Sequence, residues 1–149
     1  MRSRKEGTER CFVDTNIWLY AFIEADDSPK HQVAKEVVSR PHVVVSTQVI
    51  NETCVNLLKK ASLSEATIRQ LVAAFYEKYA VTSTDQSVLL AASELREEFN
   101  LSFWDSLIAA SALHANCDVL YTEDMQDGLI VEGRLTVANP FRVKQGSSG

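Results

Sequence analysis

The stretch CFVDTNIWLY, residues 11–20, decides the fold. A short apolar run, CFV, stops on a carboxylate, Asp14, and passes at once into an apolar segment with helical character. A strand that feeds a helix directly is the opening unit of an α/β domain, and Asp14 then stands at the carboxyl end of that strand. An aspartate at such a junction either caps the helix or takes part in chemistry. One residue cannot separate these roles, so partners must be sought along the chain.

The same alternation continues outward. VVVS (43–46), AVTS (80–83), VLYT (119–122) and LTV (135–137) read as further strands. One helix follows Asp14, and a second opens at Ser28 and Pro29 and runs to the stop at Pro41. TQVINETCVNLLKKA (47–61) carries Ile50, Cys54, Leu57, Leu58 and Ala61 as one apolar stripe. SLSEATIRQLVAAFYEKY (62–79) opens with a capping box from Ser62 to Glu65. TDQSVLLAASELREEF (84–99) and SFWDSLIAASALHAN (102–116) are the last two helices. This order predicts a parallel sheet covered by helices on both faces. The path between the helices at 84–99 and 103–116 stays open, because one extra reversal must fit there.

A chain of 149 residues fits one domain, which buries about two thirds of the surface its unfolded form exposes. The apolar fraction of 46% and the charged fraction of 23% exclude a disordered chain. No apolar run approaches the roughly 18 residues of a membrane helix. MRSRKEGTER is basic like the start of a signal peptide, but the next stretch carries Asp14, Asn16 and Glu24 and lacks a small-residue cleavage site. A cytoplasmic location is therefore expected, with no membrane partner. Cys11, Cys54 and Cys117 form no CxxC pair and read as small buried hydrophobes in a reducing compartment. The net charge of −5 argues against nucleic-acid binding through general basicity. The expected organisation is a flexible segment at 1–9, one domain at 10–143, and a flexible tail or linker at 144–149.

In parallel α/β sheets, ligands bind at the carboxyl ends of the strands, where the strand order reverses. Asp14 ends the first strand there. Glu52 lies in the first turns of the helix leaving the second strand. Asp105 opens the helix that leads into VLYT, and a helix preceding a parallel strand starts at the carboxyl edge. Asp124 follows VLYT directly, with Asp127 three residues on. Each has a plainer reading: Asp14 as a helix cap, Glu52 as a solvated glutamate opposite its apolar stripe, and Asp124 and Asp127 as turn formers before Gly128. Asp105 is harder to dismiss. The following SLIAASALHANC (106–117) has no charged residue, which marks a buried helix, and an aspartate in its first turn needs a partner if water is excluded. Two carboxylates about 4 Å apart repel by roughly 4 kcal/mol at an effective dielectric of about 20. No lysine or arginine lies near Asp14 or Asp105 in sequence, though Lys59 or Arg96 remain available at long range. A hard divalent cation, Mg²⁺ or Mn²⁺, neutralises such a rim and turns it into a local phosphate site without a basic surface.

The segments FVDTN, VINET, FWDSLIAASA and LYTEDMQDG resemble those of the PIN-domain ribonucleases, most closely the VapC-type toxins of toxin-antitoxin pairs, over residues 10 to 141. The resemblance implies a PIN-like three-layer α/β/α sandwich with a central parallel sheet of four or five strands. It implies a Mg²⁺- or Mn²⁺-dependent endoribonuclease with an RNA substrate, a cognate antitoxin protein and a homodimer. It maps an acidic quartet onto Asp14, Glu52, Asp105 and Asp124, with Asp127 as an auxiliary metal ligand and Asn16 and Thr122 as polar residues bracing the site. Asp14 and Asp105 are expected as direct ligands. Glu52 and Asp124 bind directly or through waters, and either accepts the proton of an attacking water. His31, His42 and His114 are not needed. Arg2, Arg4, Lys5 and Arg10 read as a solvated tail or as a grip on RNA phosphates.

Three other readings stay open: an RNA-processing nuclease of the same family without an antitoxin, an aspartyl-phosphate phosphotransferase, and a module whose acidic rim docks a basic peptide. The phosphotransferase chemistry asks for a second aspartate two positions after the first, where this chain has Asn16, and for a strand-end lysine. In the docking reading, Trp18, Tyr20, Phe22 and Val37 line a groove for the partner; core packing is their plainer role.

Overall fold

A computed structural model describes residues 8–23 and 28–142. The tail at 144–149, most of the segment at 1–9, and with it Arg2, Arg4 and Lys5, lie outside these residues. The elements run β1 (Cys11–Val13), α1 (Thr15–Phe22), α2 (Ser28–Val38), β2 (Val43–Ser46), α3 (Thr47–Lys60), α4 (Glu65–Lys78), β3 (Ala80–Thr82), α5 (Gln86–Glu98), α6 (Phe103–His114), β4 (Val119–Tyr121), β5 (Ile130–Val131) and β6 (Leu135–Ala138).

One six-stranded sheet has the order β3-β2-β1-β4-β6-β5. All neighbours are parallel except β5, which pairs antiparallel with β6. The sheet thus exceeds the expected four or five strands by the short β5. That two-residue strand follows a turn through Gly128 (φ +90°) and reaches β6 through Gly133 (φ +69°), conformations that glycine adopts without strain. The chain builds outward from β1 to β2 and β3, then returns to the other side of β1 for β4 and β6. With right-handed crossovers, this reversal puts α1–α4 on one face and α5–α6 on the other. The strand order therefore switches between β1 and β4, where Asp14 and Thr122 emerge.

The core forms because β1 and the three valines of β2 are apolar, and both strands are fully buried. Trp18 is wholly buried, donates its indole N–H to the Val13 carbonyl at 3.0 Å, and packs edge-on against Phe75 and Tyr79. Trp18 and Val37 are thus core residues rather than walls of an open groove, whereas Phe22 stays 42% exposed. The helix α6 is buried from Ser106 through Leu113, as its uncharged sequence requires. The reversal left open between the last two helices is a tight hairpin at 99–102, which lays α5 against α6. One cap differs from the sequence reading. The α4 helix is capped by Ser64, whose hydroxyl accepts from Thr67 N, and not by Ser62, which sits at φ +53° in the turn before it. The apolar periodicity of α4 begins too late for a cap at Ser62. All three cysteines are buried. Among the described residues, no helix is long and apolar enough to cross a membrane.

Candidate active site

Asp14 plays both roles that its position allowed. Its Oδ1 accepts from Thr15 N at 2.7 Å, capping α1, while Oδ2 accepts from the Thr122 hydroxyl at 2.9 Å. The carboxylate is only 3% exposed. Burial pushes its pKa up to about 6, against the lowering effect of these two hydrogen bonds and with the charges of Asp124 and Asp105 adding to the rise. The backbone fixes it in place, since Asp14 N continues the β1–β4 ladder by donating to the Tyr121 carbonyl at 3.0 Å.

The segment after β4 supplies the next groups. Thr122 is fully buried, and its hydroxyl oxygen both donates to Asp14 and accepts from Asp124 N at 3.1 Å. This fixes the backbone of Asp124 relative to Asp14. The Asn16 amide donates to Asp124 Oδ2 at 3.2 Å, so one carboxylate oxygen of Asp124 is oriented from α1. Burial, and then the neighbouring charge of Glu123, raise the Asp124 pKa. Glu123 itself is turned away to Tyr20 (2.9 Å) and Lys30 (3.0 Å).

Asp105 enters from the first turn of α6, where Ser102 caps the helix by accepting from Asp105 N at 3.1 Å. Burial raises its pKa; the bond with Ser102 opposes this and the charge of Asp124 adds to it. Asp14, Asp105 and Asp124 thus feel one another's charge. Glu52, exposed on α3, shares a cavity of about 290 Å³ with Asp14, Thr15, Asn16, Asn56 and Asp124. Its position opposite the apolar stripe of α3 is what points it into this opening.

Among the described residues, no lysine or arginine pairs with Asp14, Glu52, Asp105 or Asp124. Arg96, available at long range by sequence, instead donates to the Ser106 hydroxyl at 2.7 Å and lies 3.8 Å above the Phe103 ring. Arg10 sits at the far end of β1 and donates to the Ala115 carbonyl, so it does not reach the rim. His31 bonds to the Tyr20 carbonyl, and no histidine lines the cavity.

The donor set is carboxylate, amide and hydroxyl oxygen, which suits a hard divalent cation. No three His, Cys, Asp or Glu side chains among the described residues close around one point. Mg²⁺ does not ask for that: it is held by one or two carboxylates and keeps waters and substrate oxygens as its other ligands. The Thr15 hydroxyl, buried in the cavity wall, has no hydrogen-bond partner, an unmet polar group of the kind that bound water or ligand satisfies. The residues present therefore fit such an ion.

Asp127, expected as an auxiliary ligand, is engaged elsewhere. Its carboxylate accepts from Asn139 N at 2.7 Å and faces Arg142 at 3.5 Å, tying the 122–129 loop to the segment after β6. Its place three residues after Asp124 gave no sign that Asn139 N and Arg142 would engage its carboxylate. Three cavity residues were missed: Thr15, Asn56 and Trp104. Asn56 stands one helical turn after Glu52 and Trp104 directly precedes Asp105, so helical spacing alone could have found the first.

The family model described as PIN domain matches residues 11–126. No curated protein matches the chain. Among solved structures, a toxin-antitoxin complex from Klebsiella pneumoniae superposes with TM-score 0.65 and 21% identity, over 89% of this chain and 99% of that one. The sarcin-ricin loop cleaving toxin VapC20 of Mycobacterium tuberculosis gives TM-score 0.58 and 24% identity, over 76% and 91%. VapBC2 from Rickettsia felis, bound to a DNA fragment from its promoter, gives 0.59 and 18%, over 87% and 98%.

Proposed function

The chain belongs to the PIN domain family, and from that premise we propose that it is a Mg²⁺- or Mn²⁺-dependent endoribonuclease, the toxin of a toxin-antitoxin pair. One observation carries this reading. Asp14, Glu52 and Asp124 line one cavity at the switch point of the sheet, Asp105 lies close enough for its charge to add to the raised pKa of Asp14, and among the described residues no lysine or arginine pairs with any of them. Such a cup favours a divalent cation, and with it the phosphate of a substrate, on a chain whose overall charge is −5.

When bound, the ion supplies Lewis acidity that lowers the pKa of an attacking water and stabilises charge on the departing oxygen. Asp14 and Asp105 are proposed as direct ligands, with Asp124 and Glu52 holding the ion directly or through waters. Thr122 anchors Asp14 through Oδ2, and Asn16 holds Asp124. Glu52, exposed in the cavity lining and free of hydrogen bonds from its side chain among the described residues, is proposed ahead of Asp124 to accept the proton of the attacking water. Asp127 is left out of the ligand set.

The proposed partners are RNA, a cognate antitoxin and a second copy of the chain, in the cytoplasm. The likeness to toxin-antitoxin complexes supports the second of these. An RNA-processing enzyme without an antitoxin has the same site, and an adjacent short reading frame encoding a DNA-binding head and a basic tail separates the two.

The test is cleavage of structured and single-stranded RNA with and without Mg²⁺ or Mn²⁺. Wild type is expected to cut only with metal, and Asp14→Asn to lose cleavage by at least about a hundredfold while remaining folded. Full activity of the variant, or cleavage undiminished in chelator, would contradict the proposal.

A further inference from the structure

A second cavity, of about 350 Å³, borders the carboxylate cup: Asp124 lines both, and Asp105 lines this one. We propose that it is a nucleobase subsite, which takes an unstacked RNA base next to the scissile phosphate and makes cleavage base-selective. This rests on the nuclease reading for its substrate, but its chemistry is separate from hydrolysis.

Its size is within the roughly 300–1,000 Å³ of small-ligand sites and far beyond the needs of one ion. Its lining is amphipathic in the way a base requires. Leu101, Met125 and Leu129 supply apolar surface, with Met125 buried and the two leucines half-buried. The Asn100 and Gln126 side chains, exposed at the same opening, make no hydrogen bond among the described residues. An amide presents both a donor and an acceptor, which matches the edge of a base held against an apolar wall. Asn100 belongs to the tight 99–102 hairpin and Gln126 to the loop braced by Thr122 and Asp127, so both amides sit on positioned backbone.

The location gives the cavity its meaning. Asp124 is a wall of both cavities, so a phosphate held at the carboxylates has one neighbouring nucleotide beside Trp104 and Asn56 and the other beside Asn100 and Gln126. Single-stranded RNA is read in this manner, with bases splayed out and bonded along their edges. The net negative rim excludes nothing here, because a base is neutral where the phosphate is not.

Two measurements test this. The first maps cleavage of a fully randomised RNA oligonucleotide pool with Mn²⁺ by sequencing the ends. Wild type is expected to favour one base at a fixed position beside the cut, and the double variant N100A/Q126A to lower the ratio of preferred to disfavoured base about tenfold. The second measures affinity for the four homopolymeric octaribonucleotides in Ca²⁺, a hard cation of different preferred geometry, with thermal melting to verify that the variant is folded. The wild-type spread among the four is expected to be about tenfold or more and to collapse in the variant. Equal wild-type affinities, or an unchanged spread in the folded variant, overturn the subsite whether or not cleavage occurs. A preserved spread in wild type with no cleavage under any metal would instead overturn hydrolysis and leave the subsite standing.

Discussion

Asp14 is where the site is set against stability. The folded protein holds its proton with a pKa of about 6, against the ordinary 3.8, because the carboxyl is buried and faces other carboxylates. Folding therefore takes up a proton between these values. The stability is fully present below the ordinary pKa and is lost as pH rises through about 6, reaching a cost of roughly 3 kcal/mol at neutral pH. Asparagine keeps the helix cap without the charge. Asp14→Asn is thus expected to raise the stability of the metal-free protein at pH 7 by about 1–3 kcal/mol, and to do little below pH 4; urea denaturation at both pH values in chelator checks this. An Asp14→Asn protein less stable at pH 7 would show that the carboxylate is held by interactions not described above. At the same scale, Asp127→Asn is expected to leave metal affinity unchanged while loosening the 122–129 loop, read as faster amide exchange at Asn139. Asp14 was legible from its place at the end of an apolar strand, whereas the engagement of Asp127 depends on Asn139 and Arg142, which come later in the chain.

At the scale of elements, local periodicity carried most of the reading. The central helix α6 announces itself through twelve uncharged residues at 106–117, and its burial follows. The cap of α4 was misplaced because Ser62 and Ser64 both precede Glu65, and only the phase of the apolar stripe distinguishes them. That difference is measurable. Ser64→Ala is expected to cost about 1 kcal/mol, and Ser62→Ala a few tenths at most. Ser62→Gly is expected to stabilise, since position 62 sits at φ +53° where glycine alone is unstrained. Chemical denaturation of the three variants checks the order, and a larger loss for Ser62→Ala than for Ser64→Ala would refute the assignment. The strand β5 was not legible because two residues carry no alternation; it exists only by pairing with β6.

At the scale of the whole molecule, strand order matters more than any motif. The strands β2 and β4 flank β1, so Asp14, Glu52 and Asp124 line one cavity, with Asp105 near enough to influence Asp14, although these residues are separated by up to 110 positions. The carboxyl-edge argument brought Asp14, Glu52, Asp105 and Asp124 to one rim from sequence, but the wall contributed by Trp104 and the second cavity depend on how α5 and α6 fold back, which the sequence left open. The same packing sets stability. Trp18 joins α1 to α4 through Phe75 and Tyr79, and Trp18→Ala is expected to cost about 3–5 kcal/mol in urea denaturation, enough to lower metal affinity by disordering α1. The central claim is that these distant carboxylates form one cation site, and calorimetric titration of Mn²⁺ at pH 7.5 tests it most directly. Wild type is expected to bind Mn²⁺ at a definite stoichiometry, with affinity weakened by at least about tenfold in Asp14→Asn and in Asp105→Asn alike. Absence of binding in wild type, or equal affinity in either variant, would contradict it.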